Sequence, residues 1–188
     1  VRFTSSKRKI FSIYTHIQRT HKYNTDVAVH QHCYGHPLTN GIPDGDWLCE
    51  RCESKCKEEK CVCCPVRRGA MKRTIDFRWI HVSCAMYVPE AFCHAEGLDA
   101  INYFHIPKSR FELACSYCNF SKEGACVKCA YKGCKTSFHI SCGMRQKVPI
   151  LCEMKHIGKG KPDLVLTYCS EHAPIASKMG KKVRYQVA

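Results

Sequence analysis

The sequence predicts a string of small α+β modules, each held together by bound metal, in place of one domain around a large apolar core. Three observations lead there. Cysteine accounts for 17 of the 188 residues and His for another 11, a level that marks disulfide frameworks or metal-built domains. The cysteines fall largely into pairs two residues apart, interleaved with His. The hydrophobic fraction of 45% counts those cysteines, so the aliphatic and aromatic content that remains is thin for a single core.

Metal is preferred over disulfides on chemical grounds. An odd number of cysteines cannot pair fully within one chain, and no apolar signal-peptide core precedes the Cys-rich region. A two-residue spacer lets two side chains converge on one tetrahedral ion, as in structural zinc sites. The fold class is therefore small zinc-stabilised α+β modules, which implies a reducing compartment. No stretch approaches the roughly 18 apolar residues of a membrane-spanning helix, and no membrane partner is expected.

The formal charge is +14, concentrated at the ends. Residues 1–22 hold Arg2, Lys7, Arg8, Lys9, Arg19 and Lys22 without an acid, and residues 173–188 hold Lys178, Lys181, Lys182 and Arg184, again without one. A near-neutral folded middle with positive ends is expected, suited to a polyanionic partner or simply solvated. An acid-free basic start is also a feature of mitochondrial presequences, but no initiating Met is present; with Val1 first, a fragment or a chain lacking its true start is expected.

In chain order, residues 27–30 read as a short strand leading into His30-x2-Cys33. Residues 37–46 are loop material rich in Gly, Pro, Asn and Asp, and Cys49-x2-Cys52 follows. The second cluster closes on its own as Cys61, Cys64, His81 and Cys84. Residues 79–88 are read as a short helix carrying His81 and Cys84 one turn apart on one face. The third cluster offers nine candidates for eight positions: Cys115, Cys118, Cys126, Cys129, Cys134, His139, Cys142, Cys169 and His172. Two interleaved sites follow if Cys115 and Cys118 join His139 and Cys142, and a Cys pair joins Cys169 and His172. Cys129 and Cys134 are chosen for that pair, leaving Cys126 in excess. A short helix over residues 140–147 and a hairpin built from residues 148–157 and 164–168 complete the chain. Cys56, Cys63, Cys93 and Cys152 are expected to be packing thiols.

These residues carry a resemblance. Val27-Ala-Val-His-Gln-His-Cys-Tyr-Gly35 with Trp47-Leu-Cys-Glu-Arg-Cys52 resembles the second half of a PHD finger. Cys61-x2-Cys64-Pro with Trp79-Ile-His-Val-Ser-Cys84 resembles the zinc knuckle that follows such a finger. Cys115-x2-Cys118, Phe138-His-Ile-Ser-Cys142 and Tyr168-Cys-Ser-Glu-His172 resemble an extended PHD finger. Together they are similar to the PHD finger–zinc knuckle–extended PHD finger module of the JADE, BRPF, AF-ten, AF-seventeen and plant trithorax-like proteins. The resemblance implies cross-brace PHD-type fingers joined by a zinc knuckle. It departs at the first finger, where Lys22 and Thr25 stand at the positions of a Cys-x2-Cys pair and the pair further upstream is absent. His30, Cys33, Cys49 and Cys52 are then a partial metal site, and about three Zn2+ ions per chain are expected.

The expected organisation is a disordered basic segment over 1–25, an incomplete PHD-type finger over 26–56, the knuckle over 57–98, the extended finger over 99–173 and a basic tail over 174–188. The resemblance implies a nuclear chromatin reader in transcription regulation. Its partners would be the histone H3 tail, nucleosomal DNA and subunits of chromatin-modifying complexes. One alternative is a DNA-binding or protein-docking zinc module without histone recognition; another is a RING-like ubiquitin ligase. No activated nucleophile or open metal position is legible, so no enzymatic activity is expected.

Overall fold

The computed structural model describes residues 29, 31–41, 47–56, 58–93, 100–155 and 164–179. The expected strand over 27–30, ligand His30 and the basic segment over 1–25 thus lie outside the described residues, Val29 excepted. No disulfide joins any of the 17 cysteines.

Two one-turn helices, α1 (Gln31–Tyr34) and α2 (Glu50–Glu53), open the chain. The knuckle follows as β1 (Met71–Arg73), β2 (Trp79–His81) and α3 (Val82–Tyr87). Next come β3 (Phe92–Cys93), β4 (Ile101–Asn102) and α4 (Lys108–Glu112). The last stretch holds β5 (Val127–Lys128), β6 (Ser137–Phe138), α5 (Ile140–Met144), β7 (Leu151–Lys155), β8 (Leu164–Tyr168) and α6 (Ala173–Met179). Among the described residues the strands form antiparallel pairs: β1 with β2, β3 with β4, β5 with β6 and β7 with β8.

Three local expectations change. Residues 79–81 are a strand, because they pair with residues 71–73 and Thr74 closes the turn between them. Its hydroxyl donates to Asp76 Oδ1 at 2.6 Å and accepts the Arg78 amide at 2.9 Å. The helix starts only after His81, whose extended backbone makes it the N-cap. The helix read over 140–147 stops at Met144. Residues 173–179, expected within the basic tail, form a helix whose Ala173 and Ala176 are buried. The hairpin of the two late apolar runs forms with Leu151 opposite Tyr168.

The knuckle and the extended finger share one core. Met71, Trp79, Ile80 and Val88 pack in the same cluster as Phe138, Ile140, Leu166 and Tyr168. A smaller cluster of Tyr34, Leu38, Trp47, Cys49, Ala70 and Val82 seats the first-finger segment on the knuckle. Tyr34 and Trp47 meet edge to face with ring centres 4.6 Å apart. The Glu50 carboxylate receives the buried Lys72 ammonium at 2.6 Å and the Arg73 amide at 3.0 Å, and Lys72 also reaches the His36 carbonyl. A buried ammonium is tolerable only with partners of this kind.

The backbones of the two modules touch at Gly124. Ala125 donates its amide to the Cys63 carbonyl at 3.1 Å. Gly124 has φ +93°, and a Cβ built there would fall 2.6 Å from the Cys63 carbonyl carbon and oxygen. Neither the conformation nor the space admits a side chain. Gly124→Ala should therefore destabilise the fold by about 2–4 kcal/mol, measured by denaturant unfolding of the zinc-loaded protein, while Gly133→Ala, with nothing within 4 Å of its Cβ, should cost less.

Candidate metal centres

Three sets of four donors converge among the described residues: Cys61, Cys64, His81 and Cys84; Cys115, Cys118, His139 and Cys142; and Cys129, Cys134, Cys169 and His172. Within each set the ligand atoms all lie within 4.8 Å of one another. The first set is fully buried, the second has one half-buried member, Cys118, and the third has two, Cys134 and His172.

The local chain explains the convergence. In the knuckle, Cys61 and Cys64 flank a tight turn beside β2, β2 delivers His81, and α3 sets Cys84 one turn on. Cys64 Sγ lies 3.2 Å from His81 Nδ1 and 3.9 Å from Cys84 Sγ. The extended finger repeats the arrangement: β6 leads to His139 at the N-cap of α5, which carries Cys142. His139 Nδ1 lies 3.5 Å from Cys118 Sγ and 3.7 Å from Cys142 Sγ. In the third set the loop after β5 supplies Cys129 and Cys134, while β8 leads to Cys169 and His172. His172 Nδ1 lies 3.1 Å from Cys169 Sγ and 3.7 Å from Cys129 Sγ.

Tetrahedral zinc, with Zn–S near 2.3 Å and Zn–N near 2.0–2.1 Å, places its donor atoms roughly 3.5–3.8 Å apart. Most of these separations lie close to that range. The Cys64–His81 and Cys169–His172 pairs, at 3.2 and 3.1 Å, would open by a few tenths of an ångström around the ion. The His81 ring orientation fits too, whereas His139 Nε2 is buried without a hydrogen-bond partner. His81 Nε2 lies 3.0 Å from the Arg68 carbonyl, so Nε2 carries the proton and Nδ1 offers its lone pair to the thiol cluster. Tyr131 stacks on His172 with ring centres 4.0 Å apart. The thiols themselves resist sharing negative charge without a cation. Burial pushes Cys61 up to about 12, and hydrogen bonds from Cys61 and Cys84 hold Cys64 well below the ordinary thiol range. Burial likewise pushes Cys129 up to about 12. Each of the three sets can hold a zinc ion, whose binding would displace the remaining thiol protons.

The surplus thiols fall outside the three sets. Cys126 is fully buried, its Sγ 3.5 Å from the Leu113 carbonyl, and the hydrogen bond with Cys115 together with burial keeps its proton in place. Cys63 is fully buried beneath Gly124, and Cys56 and Cys152 are half-buried. Cys93, expected to pack, is exposed at the end of β3. Of the partial fourth set, Cys49 and Cys52 approach with their sulfurs 3.6 Å apart, and Cys33 borders the same small core; His30 lies outside the described residues.

The family model described as a PHD-zinc-finger-like domain matches residues 59–172. The chain is 36% identical over 166 residues to the bromodomain-containing protein homolog of Drosophila melanogaster, covering 84% of this chain and 11% of that protein. It is 38% identical over 151 residues to protein Jade-1 of Xenopus laevis, covering 78% of this chain and 17% of that protein. The chain therefore spans less than a fifth of either relative. The crystal structure of zebrafish PHF14-PZP superimposes with a TM-score of 0.61 at 30% identity, covering 80% of this chain and 77% of the other.

Metal analysis of the purified protein should return about three zinc ions per chain, and five would break the assignment. Structural zinc contributes on the order of 10–16 kcal/mol of apparent binding free energy. Cys115→Ser and Cys142→Ser should accordingly unfold the extended finger, whereas Cys93→Ser at an exposed position should leave circular dichroism and zinc content unchanged.

Proposed function

The chain belongs to the PHD-zinc-finger-like family through its knuckle and extended finger, and on that premise we propose that it is a non-enzymatic, nuclear chromatin-binding reader that recognises nucleosomal DNA, the histone H3 tail or both. Its twelve ligands would be those of the three convergent sets. Each set supplies four protein donors, which leaves no coordination position for water or a substrate and speaks against metal-centred catalysis.

The observation that carries the reading is the placement of charge. Of the formal +14, the acid-free ends over residues 1–22 and 173–188 hold ten bases, and the strand and loop of the third centre present Lys128, Lys132 and Lys135 to solvent. Such a surface complements phosphates. For a histone tail, an open cleft of about 580 Å³ beside that centre is lined by Tyr117, Thr136, Lys147, Ser170 and Glu171 among others.

A second reading, DNA binding or protein docking without histone recognition, is favoured by Lys22 and Thr25 standing where the resemblance calls for a Cys pair. Binding to nucleosomes and free duplex DNA across a salt series, beside titration of an isolated H3 tail peptide, separates the two. About five phosphate contacts would give a slope of log affinity against log salt of roughly −4 to −5. Removing residues 1–22 and 180–188, which spares α6, should flatten that slope, and replacing Lys128, Lys132 and Lys135 by Ala should flatten it further. Tight peptide binding with a shallow slope would assign recognition to the histone tail. Failure of both ligands to bind would end the reading.

A further inference from the structure

The knuckle's metal centre draws its outer hydrogen bonds from two modules. Cys61 Sγ is served within the knuckle, accepting the amides of Cys63 and His81, each at 3.3 Å. Cys84 Sγ is met from across the interface: Ser141 Oγ, in the extended finger, lies 3.3 Å away. Ser141 is only 6% exposed and immediately precedes Cys142, a donor of the second set. Ser83 Oγ stands 3.5 Å from the same hydroxyl, near enough to orient it. The His81 ring is tied across the interface as well. The Arg68 carbonyl that faces its Nε2 also accepts from Arg145 Nη2 at 3.0 Å, and Arg145 is the C-cap of α5.

The chemistry gives this arrangement a direction. Three thiolates around a divalent cation leave a net charge of −1, and all four side chains of this set are buried. Buried charge is costly unless hydrogen bonds meet it. A metal-bound thiolate carries no proton, so the Ser141 hydroxyl donates and the Cys84 sulfur accepts. We propose that Ser141 is a positioning residue of the knuckle's metal centre, and that the knuckle retains its ion fully only while the extended finger is folded against it. Groups that hydrogen-bond to metal ligands typically change metal affinity by about 10–100-fold when removed.

The inference rests on the ligand assignment proposed above, and the test keeps the two apart. The full chain is loaded with cadmium, and its NMR signals are assigned through coupling to the β protons of the ligating cysteines. Three signals are expected, each from a site of three sulfurs and one nitrogen; fewer would overturn the assignment and this inference with it. In Ser141→Ala the signal coupled to Cys84 should shift. Transfer of that ion to a competing chelator should accelerate about 10–100-fold, while the other two centres keep their signals and rates. In Cys142→Ser, which removes a donor of the extended finger, the Cys84-coupled ion should again be lost faster, although the knuckle's own four donors are intact. An unshifted Cys84-coupled signal with an unchanged transfer rate in Ser141→Ala would overturn the proposal and leave the ligand assignment standing. Equal acceleration at all three centres would overturn it too, because it would report loss of the fold and not loss of one hydrogen bond.

Discussion

Convergence of four side-chain donors on one ion is the constraint from which the rest of the structure follows. Among the described residues the strands are two to five residues long and the α-helices four to seven. Neither isolated two-stranded ladders nor helices of that length stand alone in water. Each centre clamps a Cys pair to a segment that leads into or out of a short helix. One backbone device recurs at all three, since the first Cys of each set accepts an amide from its distant partner segment. His81 donates to Cys61, His139 to Cys115 and Cys169 to Cys129, at 3.3–3.4 Å. The amide fixes the approach of the two segments and meets part of the sulfur's charge.

Between the modules the logic is packing and buried polarity. The apolar cluster that runs from Cys61 to Ala176 is larger than any single finger could assemble, which is how a chain poor in aliphatic residues reaches a core at all. The Glu50–Lys72 pair works differently. A buried ion pair adds little net stability over an apolar replacement, but its two hydrogen-bonded ends and the Arg73 amide leave a single way to seat the first-finger segment on β1.

The metal sets were legible because ligand spacing is local, and each His-x2-Cys or Cys-x2-His unit is written in four residues. The late hairpin was legible for a similar reason: two apolar runs flank a segment of Gly, Lys and Pro. The β1–β2 ladder was not. Met71-Lys-Arg73 carries two charges in three residues and has no strand signature of its own. Lys72 is buried only because Glu50 and His36 come to it from far along the chain. The spacing of His81 and Cys84 suits a helix, and β pairing overrides that preference for the His half alone. Helix α6 escaped notice because its small Ala173 and Ala176 acquire meaning only when packed in the tertiary core.

The close approach at Gly124 bears on how such a chain can be recombined. Zinc fingers are often treated as interchangeable beads that can be cut from one protein and grafted into another. Here a graft of the extended finger alone would bring a glycine shaped to the backbone of Cys63, and a graft of the knuckle alone would leave that backbone uncovered. The boundary between the two is a seam with no slack. The portable unit is the pair, and a recombination event or an engineered splice that falls within residues 59–172 would inherit two halves of a surface that fits nothing else.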